Sequence, residues 1–256
     1  MDMTAHEEWF REFVRQKRMK FSGDASPIDL KLIHTINVLQ NASRIMREEE
    51  FDSFLYRAGS LGALYHDMAR FDQYLEYGTF KDADSRNHGL WAAQLVKRER
   101  RVESETPRVR QLAMLSICLH NRLHLPDKLT KEQYAVCNVV RDADKLDILR
   151  VMNEHLSAPG PYNPTIVLSL PDDPDLYSEA VIQSALQKRS ASYSDLASVN
   201  DFRLLLGTWF YAMNFSGSRK LFRDSGHIFA LLEALPASGP YAKAREHVLK
   251  DLWKAE

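Results

Sequence analysis

The stretch LGALYHDMARFDQYLEYGTF, residues 61–80, closes an apolar helical run on His66 and Asp67, then releases the chain into a polar, aromatic-rich segment. Upstream, Phe51, Phe54, Leu55, Ala58, Leu61, Gly62 and Tyr65 keep i, i+3, i+4, i+7 spacing, which predicts an amphipathic helix carrying the pair near its C-terminal end. Reading outward, almost every periodic segment repeats at about 3.6 residues and strict alternation is nearly absent, so the chain is expected to be all-α.

A helix is expected from Ser26-Pro27, with Ser26 as cap and His34 riding on its length. Residues 77–85 read as a loop, with Asp84 or Ser85 capping a helix that carries His88. Thr106-Pro107 opens a helix that carries His120 on its apolar stripe with Val109, Leu112, Ser116 and Ile117, and Thr130 with Gln133 forms a capping box ahead of a helix offering Asp144 to the interior. Residues 157–174 hold five prolines and a glycine and read as an excursion, with a short strand expected at 165–168. Helices are expected at 175–190, 198–214, 218–234 and 240–254, covering the core. The whole of 1–256 is read as one domain with a metal-binding core at about 27–150.

At 256 residues the chain can bury a substantial core. A net charge of −1 lacks the basic excess of nucleic-acid or anionic-membrane binders, so neither a nucleic-acid polymer nor a membrane is an expected partner. The longest apolar stretch, 204–213, falls short of the roughly 20 residues a membrane-spanning helix needs. The acidic, amphipathic opening MDMTAHEEWFREF is unlike a signal peptide, and Cys118 and Cys137 read as reduced core thiols; the cytoplasm is the expected compartment.

Nine His and 19 Asp in 256 residues give about 0.7 His-Asp pairs by chance, so the dipeptide says little alone. Its company says more. His34, His66, Asp67, His88, His120 and Asp144 fall on five expected helices that can converge on a point, as ligands do in helical metal sites. Burying four imidazoles and two carboxylates without partners would cost several kcal/mol per charged group, a cost that a divalent cation removes. Mixed His and carboxylate donors favour Mn, Fe, Co, Ni or Zn, with Mg admitted.

The order His34, His66-Asp67, Asp144, with HDMARFDQYLEYGTF...DSRNHG, CLHN and RDADKLD, resembles a bacterial branch of the HD-domain superfamily of metal-dependent phosphohydrolases. The resemblance implies a helical bundle with added C-terminal helices. It implies that His34, His66, Asp67 and Asp144 hold one divalent metal, that His88 and His120 match the extra histidines of two-metal members, and that Asp67 bridges. Two such metals, roughly 3.5 to 4 Å apart, would share a hydroxide nucleophile and neutralise phosphoryl oxygens, so Asp67 enters as a catalytic residue.

Arg70, at the position of a family Lys or Arg, and Lys145, beside Asp144, are the expected anion clamps, catalytic and substrate-binding. Arg86 and Asn121 are further substrate-binding candidates, Arg122 and His124 lesser ones. Asp142 and Asp147 are candidate orienting partners for a ligating His. Tyr74, Tyr77 and Phe80 are candidate pocket walls.

The expected activity is hydrolysis of a phosphate monoester or diester on a small, nucleotide-like molecule. HNRLHLP stands where cyclic-dinucleotide enzymes of the superfamily carry Gly-Tyr-Pro, so that substrate is not supported. The alternatives are a di-iron oxygenase acting on an inositol or phosphonate, and a non-catalytic metal-binding sensor or scaffold. Oligomeric state is not legible.

Overall fold

The computed structural model describes residues 2–157, 160–164 and 166–254, among which there are twelve α-helices and no strand. Their contacts divide the chain into two compact units with the boundary between Asp147 and Ile148. Among the described residues no helix is long and apolar enough to cross a membrane.

The first unit holds α1 (Thr4–Lys20), α2 (Ser26–Glu48), α3 (Ser53–Tyr65), α4 (Met68–Tyr77), α5 (His88–Arg98), α6 (Pro107–Leu119) and α7 (Lys131–Leu156) as far as Asp147. At its heart is α3. Asp52 starts it by accepting hydrogen bonds from the backbone N–H groups of Phe54 and Leu55, at 3.1 and 2.9 Å. From Ala58 to Tyr65 every residue of α3 is buried, which small side chains permit. A Cβ on Gly62 would run into Ser116 Oγ of α6 and stand 3.0 Å from Val140 Cγ2 of α7. One on Gly59 would come within 2.5 Å of Met46 Sδ of α2. Close approach on these sides packs α3 against α2 and α6, while α5 packs on both α4 and α6.

Helix starts differ in detail from the sequence reading. Ser26 is the first residue of α2 rather than its cap; Asp24 accepts its backbone N–H at 2.9 Å and its hydroxyl at 2.7 Å. Asn87, not Asp84 or Ser85, caps α5, accepting from Leu90 N–H at 2.9 Å, because residues 82–84 are spent in a 3-10 turn. The capping box of α7 is present, with Thr130 N–H donating to Gln133 Oε1 and Gln133 N–H to Thr130 Oγ1.

The second unit runs from Ile148 and contains α8 (Glu179–Leu186), α9 (Val199–Thr208), α10 (Ser216–Asp224), α11 (His227–Glu233) and α12 (Pro240–Lys254). The strand expected at 165–168 is absent from its described part: residues 166–169 are turns, with the N–H groups of Ile166 and Val167 returning to Asn163 O and with Leu168 and Ser169 at positive φ. Thr165 lies outside the described residues. The helix expected over 218–234 is two helices, parted by Gly226 at φ 75°, a left-handed conformation that glycine adopts without strain. Buried Asp201 joins the elements here, accepting from Ser178 N–H, Ala197 N–H and Tyr241 Oη at 2.9 to 3.0 Å.

Candidate metal centre

Six helices of the first unit bring His34 (α2), His66 and Asp67 (between α3 and α4), His88 (α5), His120 (at the end of α6) and Asp144 (α7) together. His66 ends α3 and Asp67 begins α4, so the turn between the two helices aims adjacent side chains at one centre. The four imidazoles and Asp67 are buried; Asp144 is partly open.

Each imidazole is held through Nδ1. His66 donates from Nδ1 to Ala63 O at 2.7 Å and His120 to Ile117 O at 2.8 Å. A carbonyl only accepts, so the proton sits on Nδ1 and leaves Nε2 bare. His34 Nδ1 stands 2.7 Å from Asp147 Oδ2, and His88 Nδ1 2.7 Å from both carboxylate oxygens of Asp82. Carboxylates impose the same tautomer, the usual arrangement behind a metal-ligating His.

The freed Nε2 atoms face inward without satisfaction. Those of His34 and His66 are buried and have no hydrogen-bond partner. Those of His88 and His120 stand 2.9 Å apart, so two lone pairs confront one another. Asp67 divides its carboxylate between the pairs. Its Oδ2 lies 3.6 Å from both His34 Nε2 and His66 Nε2, and its Oδ1 lies 3.5 Å from His88 Nε2 and 3.7 Å from His120 Nε2. Asp144 Oδ1 adds an acceptor 3.1 Å from His34 Nε2 and 3.8 Å from His66 Nε2. Four imidazole Nε2 atoms and two carboxylates converging in this way are the donor set of a cation. Two groups, His34-His66-Asp144 and His66-Asp67-His120, have ligand atoms within 4.8 Å of one another.

The electrostatics suit such a set. Burial would raise the Asp67 carboxyl, but the charges of Lys31 and Arg70 hold it well below the usual range. His88 is pushed down to about 4 by burial and by the Arg70 charge, against the pull of Asp82. It is therefore neutral, with its Nε2 lone pair available, above about pH 5. Asp82 is held down to about 2: burial raises it, and the hydrogen bond and charge of His88 with the charge of Arg70 outweigh that.

The expected anion clamps fall in different surroundings. Arg70 has its Nε 3.5 Å from Asp67 Oδ1, but its Nη1 donates to Gln73 Oε1, to Phe80 O and to Asp82 Oδ1. It is tied to the loop after α4. Lys145 is half-buried on α7, where burial lowers its pKa and the charges that act on it, Asp142, Arg141 and Asp144, belong to its own helix. Arg86 is exposed and stacks on Trp91, 4.4 Å from the ring centroid. Asn121 is at the centre's edge, donating from Nδ2 to Asp82 Oδ2 at 3.1 Å with its Oδ1 buried and unpaired. Arg122 and His124 are exposed. Of the two aspartates considered as orienting partners, Asp147 holds His34; Asp142 is buried on the same helix. Phe80 stacks on Tyr74 and lies under the cations of Lys31 and Arg70, whereas Tyr77 is exposed.

Two residues of the centre escaped the sequence reading. Lys31 Nζ stands 2.6 Å from Asp67 Oδ2; its signal was the three-residue offset from His34, which puts both on one face of α2. Asp82 gathers His88, Arg70, Gln73 and Asn121 around one carboxylate. It sits in a loop, where no periodicity marks it.

The fold and this cluster define an all-helical metal-site protein, and residues 32–149 match the family model described as HD domain. The chain carries an HD domain over that span, which contains all six residues of the cluster. HD domains are in general metal-dependent hydrolases that bind divalent metals, and the His and Asp cluster is compatible with that role. Comparison with curated proteins and with solved structures gives no significant match.

Proposed function

We propose that the chain is a metal-dependent phosphohydrolase that cleaves a phosphate monoester or diester on a small, nucleotide-like molecule. The observation that carries this reading is the division of Asp67, one oxygen toward His34 and His66 and the other toward His88 and His120. In it His34, His66 and Asp144 hold one divalent transition metal, His88 and His120 a second, and Asp67 serves both. Bound there, the metals supply Lewis-acid activation of water and charge neutralisation at the phosphoryl group.

The chain's own residues fix that site in advance. Asp147 and Asp82 hold His34 and His88 in the tautomer that keeps Nε2 bare, and two backbone carbonyls do the same for His66 and His120. Arg70 braces Asp67 against the 80–82 loop, and Phe80 gives the approach an apolar wall. No Ser or Cys nucleophile is called for.

The test is turnover of p-nitrophenyl phosphate and bis-p-nitrophenyl phosphate with Mn2+, paired with elemental analysis. Wild-type protein is expected to bind metal and to release p-nitrophenol, and Asp67→Ala to lose both metal and turnover. Full occupancy and unchanged turnover in Asp67→Ala would sink the two-metal reading. Bound iron with substrate-dependent oxygen uptake would replace hydrolysis by oxygenation.

A further inference from the structure

We propose that Lys31, rather than Arg70 or Lys145, is the cation that receives the substrate's phosphoryl oxygens, its ammonium exchanging Asp67 for the incoming anion. The inference rests on the reading of the site as a metal centre for phosphate esters.

Position comes first. Lys31 lies one turn before His34 on α2, so its side chain reaches the same centre as the His34 imidazole. Its Nζ stands 2.6 Å from Asp67 Oδ2, the oxygen that also faces His34 Nε2 and His66 Nε2 at 3.6 Å. A divalent cation among those donors competes with the ammonium for that oxygen, and the two positive charges repel. The ammonium then needs another anion.

It can move to find one. The side chain keeps 17% of its surface exposed against 3% for Asp67, so it lies between the buried carboxylate and solvent. A four-carbon stem with a freely rotating donor head suits exchange between partners. The Phe80 ring, its centroid 5.6 Å from Nζ, offers a cation–π surface along the way.

Neither rival is placed as Lys31 is. Arg70 Nη1 is shared among Gln73, the Phe80 carbonyl and Asp82, and moving it would dismantle the loop that orients His88. Lys145 is half-buried on α7, and the charges that act on it most, Asp142, Arg141 and Asp144, are on its own helix. Among the three, Lys31 alone makes its single ion pair with the carboxylate at the middle of the cluster.

The experiment is calorimetric titration of Mn2+ into metal-free wild type, Lys31→Met and Lys31→Arg, then of inorganic phosphate into each Mn2+-loaded protein. Lys31→Met should bind Mn2+ as tightly as wild type or tighter, because a competitor for Asp67 is gone. It should bind phosphate about tenfold or more weakly, the size of a lost charge-assisted hydrogen bond, while Lys31→Arg recovers part of that loss. Unchanged phosphate affinity in Lys31→Met overturns the inference and leaves the metal-centre reading standing. Weakened Mn2+ binding in both variants overturns it too, since Lys31 would then be a scaffold of the cluster. A wild-type protein that takes up Mn2+ but no phosphate overturns the inference and the phosphohydrolase reading together.

Discussion

At the scale of single residues, a ligand is a side chain whose second polar atom is already held. Asp82 does this for His88 through two 2.7 Å contacts, so Asp82→Ala should weaken metal binding at the His88 and His120 end by about 10- to 100-fold, while leaving the His34 end near wild type. Mn2+ stoichiometry and affinity read by calorimetry check this, with equal loss at both ends counting against a local role. Cys137 offers a contrast: burial pushes its thiol up to about 12, so it should stay unlabelled by a disulfide reagent at pH 8 until the protein unfolds. Rapid labelling of Cys137 in the native protein would contradict that. The six ligand candidates were legible because each stands on an apolar helical face or at a helix end, where an imidazole or carboxylate is out of place. Asp82 was not, because a loop residue takes its partners from the folded path of the chain. Arg70 was found but assigned to solvent-borne anions, since sequence does not show that Gln73, Phe80 and Asp82 already surround it.

At the scale of elements, α3 governs the precision of the site. Its glycines let it lie against α2, α6 and α7, and Gly62 stands four residues before His66, on the same helical face. Gly62→Ala must push aside Ser116 and Val140 and should cost about 1 to 3 kcal/mol of stability, read as a lower midpoint in urea. Metal affinity should fall with it, because the displaced helix carries His66 at its end. Stability equal to wild type would mean that the neighbours yield freely. Asp52→Ala, removing the cap of the same helix, should cost about 1 kcal/mol without touching a ligand. Helix periodicity made these elements readable, and Thr130 with Gln133 fixed one start correctly. Ser26 and Asp84 misled because several residues in a row had capping chemistry, and the choice among them is made by the loop that leads in. In the 218–234 segment the apolar pattern continues through Gly226, so the break is carried by one backbone angle that periodicity does not register.

At the scale of the whole molecule, the all-α class followed from a single repeat length, whereas the division at Asp147 did not. That boundary lies inside one continuous helix, α7, and no glycine or proline marks it. The helices after 178 were anticipated in outline, and the turns at 166–169 replaced a strand because an apolar run of four residues is too short to fix its own conformation. If metal binds only the folded chain, Mn2+ at a hundred times its dissociation constant should stabilise the protein by about 2.7 kcal/mol, and a chelator should remove that increment. Thermal melts with Mn2+ and with chelator check it, and Asp67→Ala should show little difference between the two. Every side chain described at the centre is encoded at or before Asp147. Substitutions from 148 onward therefore alter no donor atom of the centre, so any effect they have on metal binding must be transmitted through the fold rather than through a lost ligand.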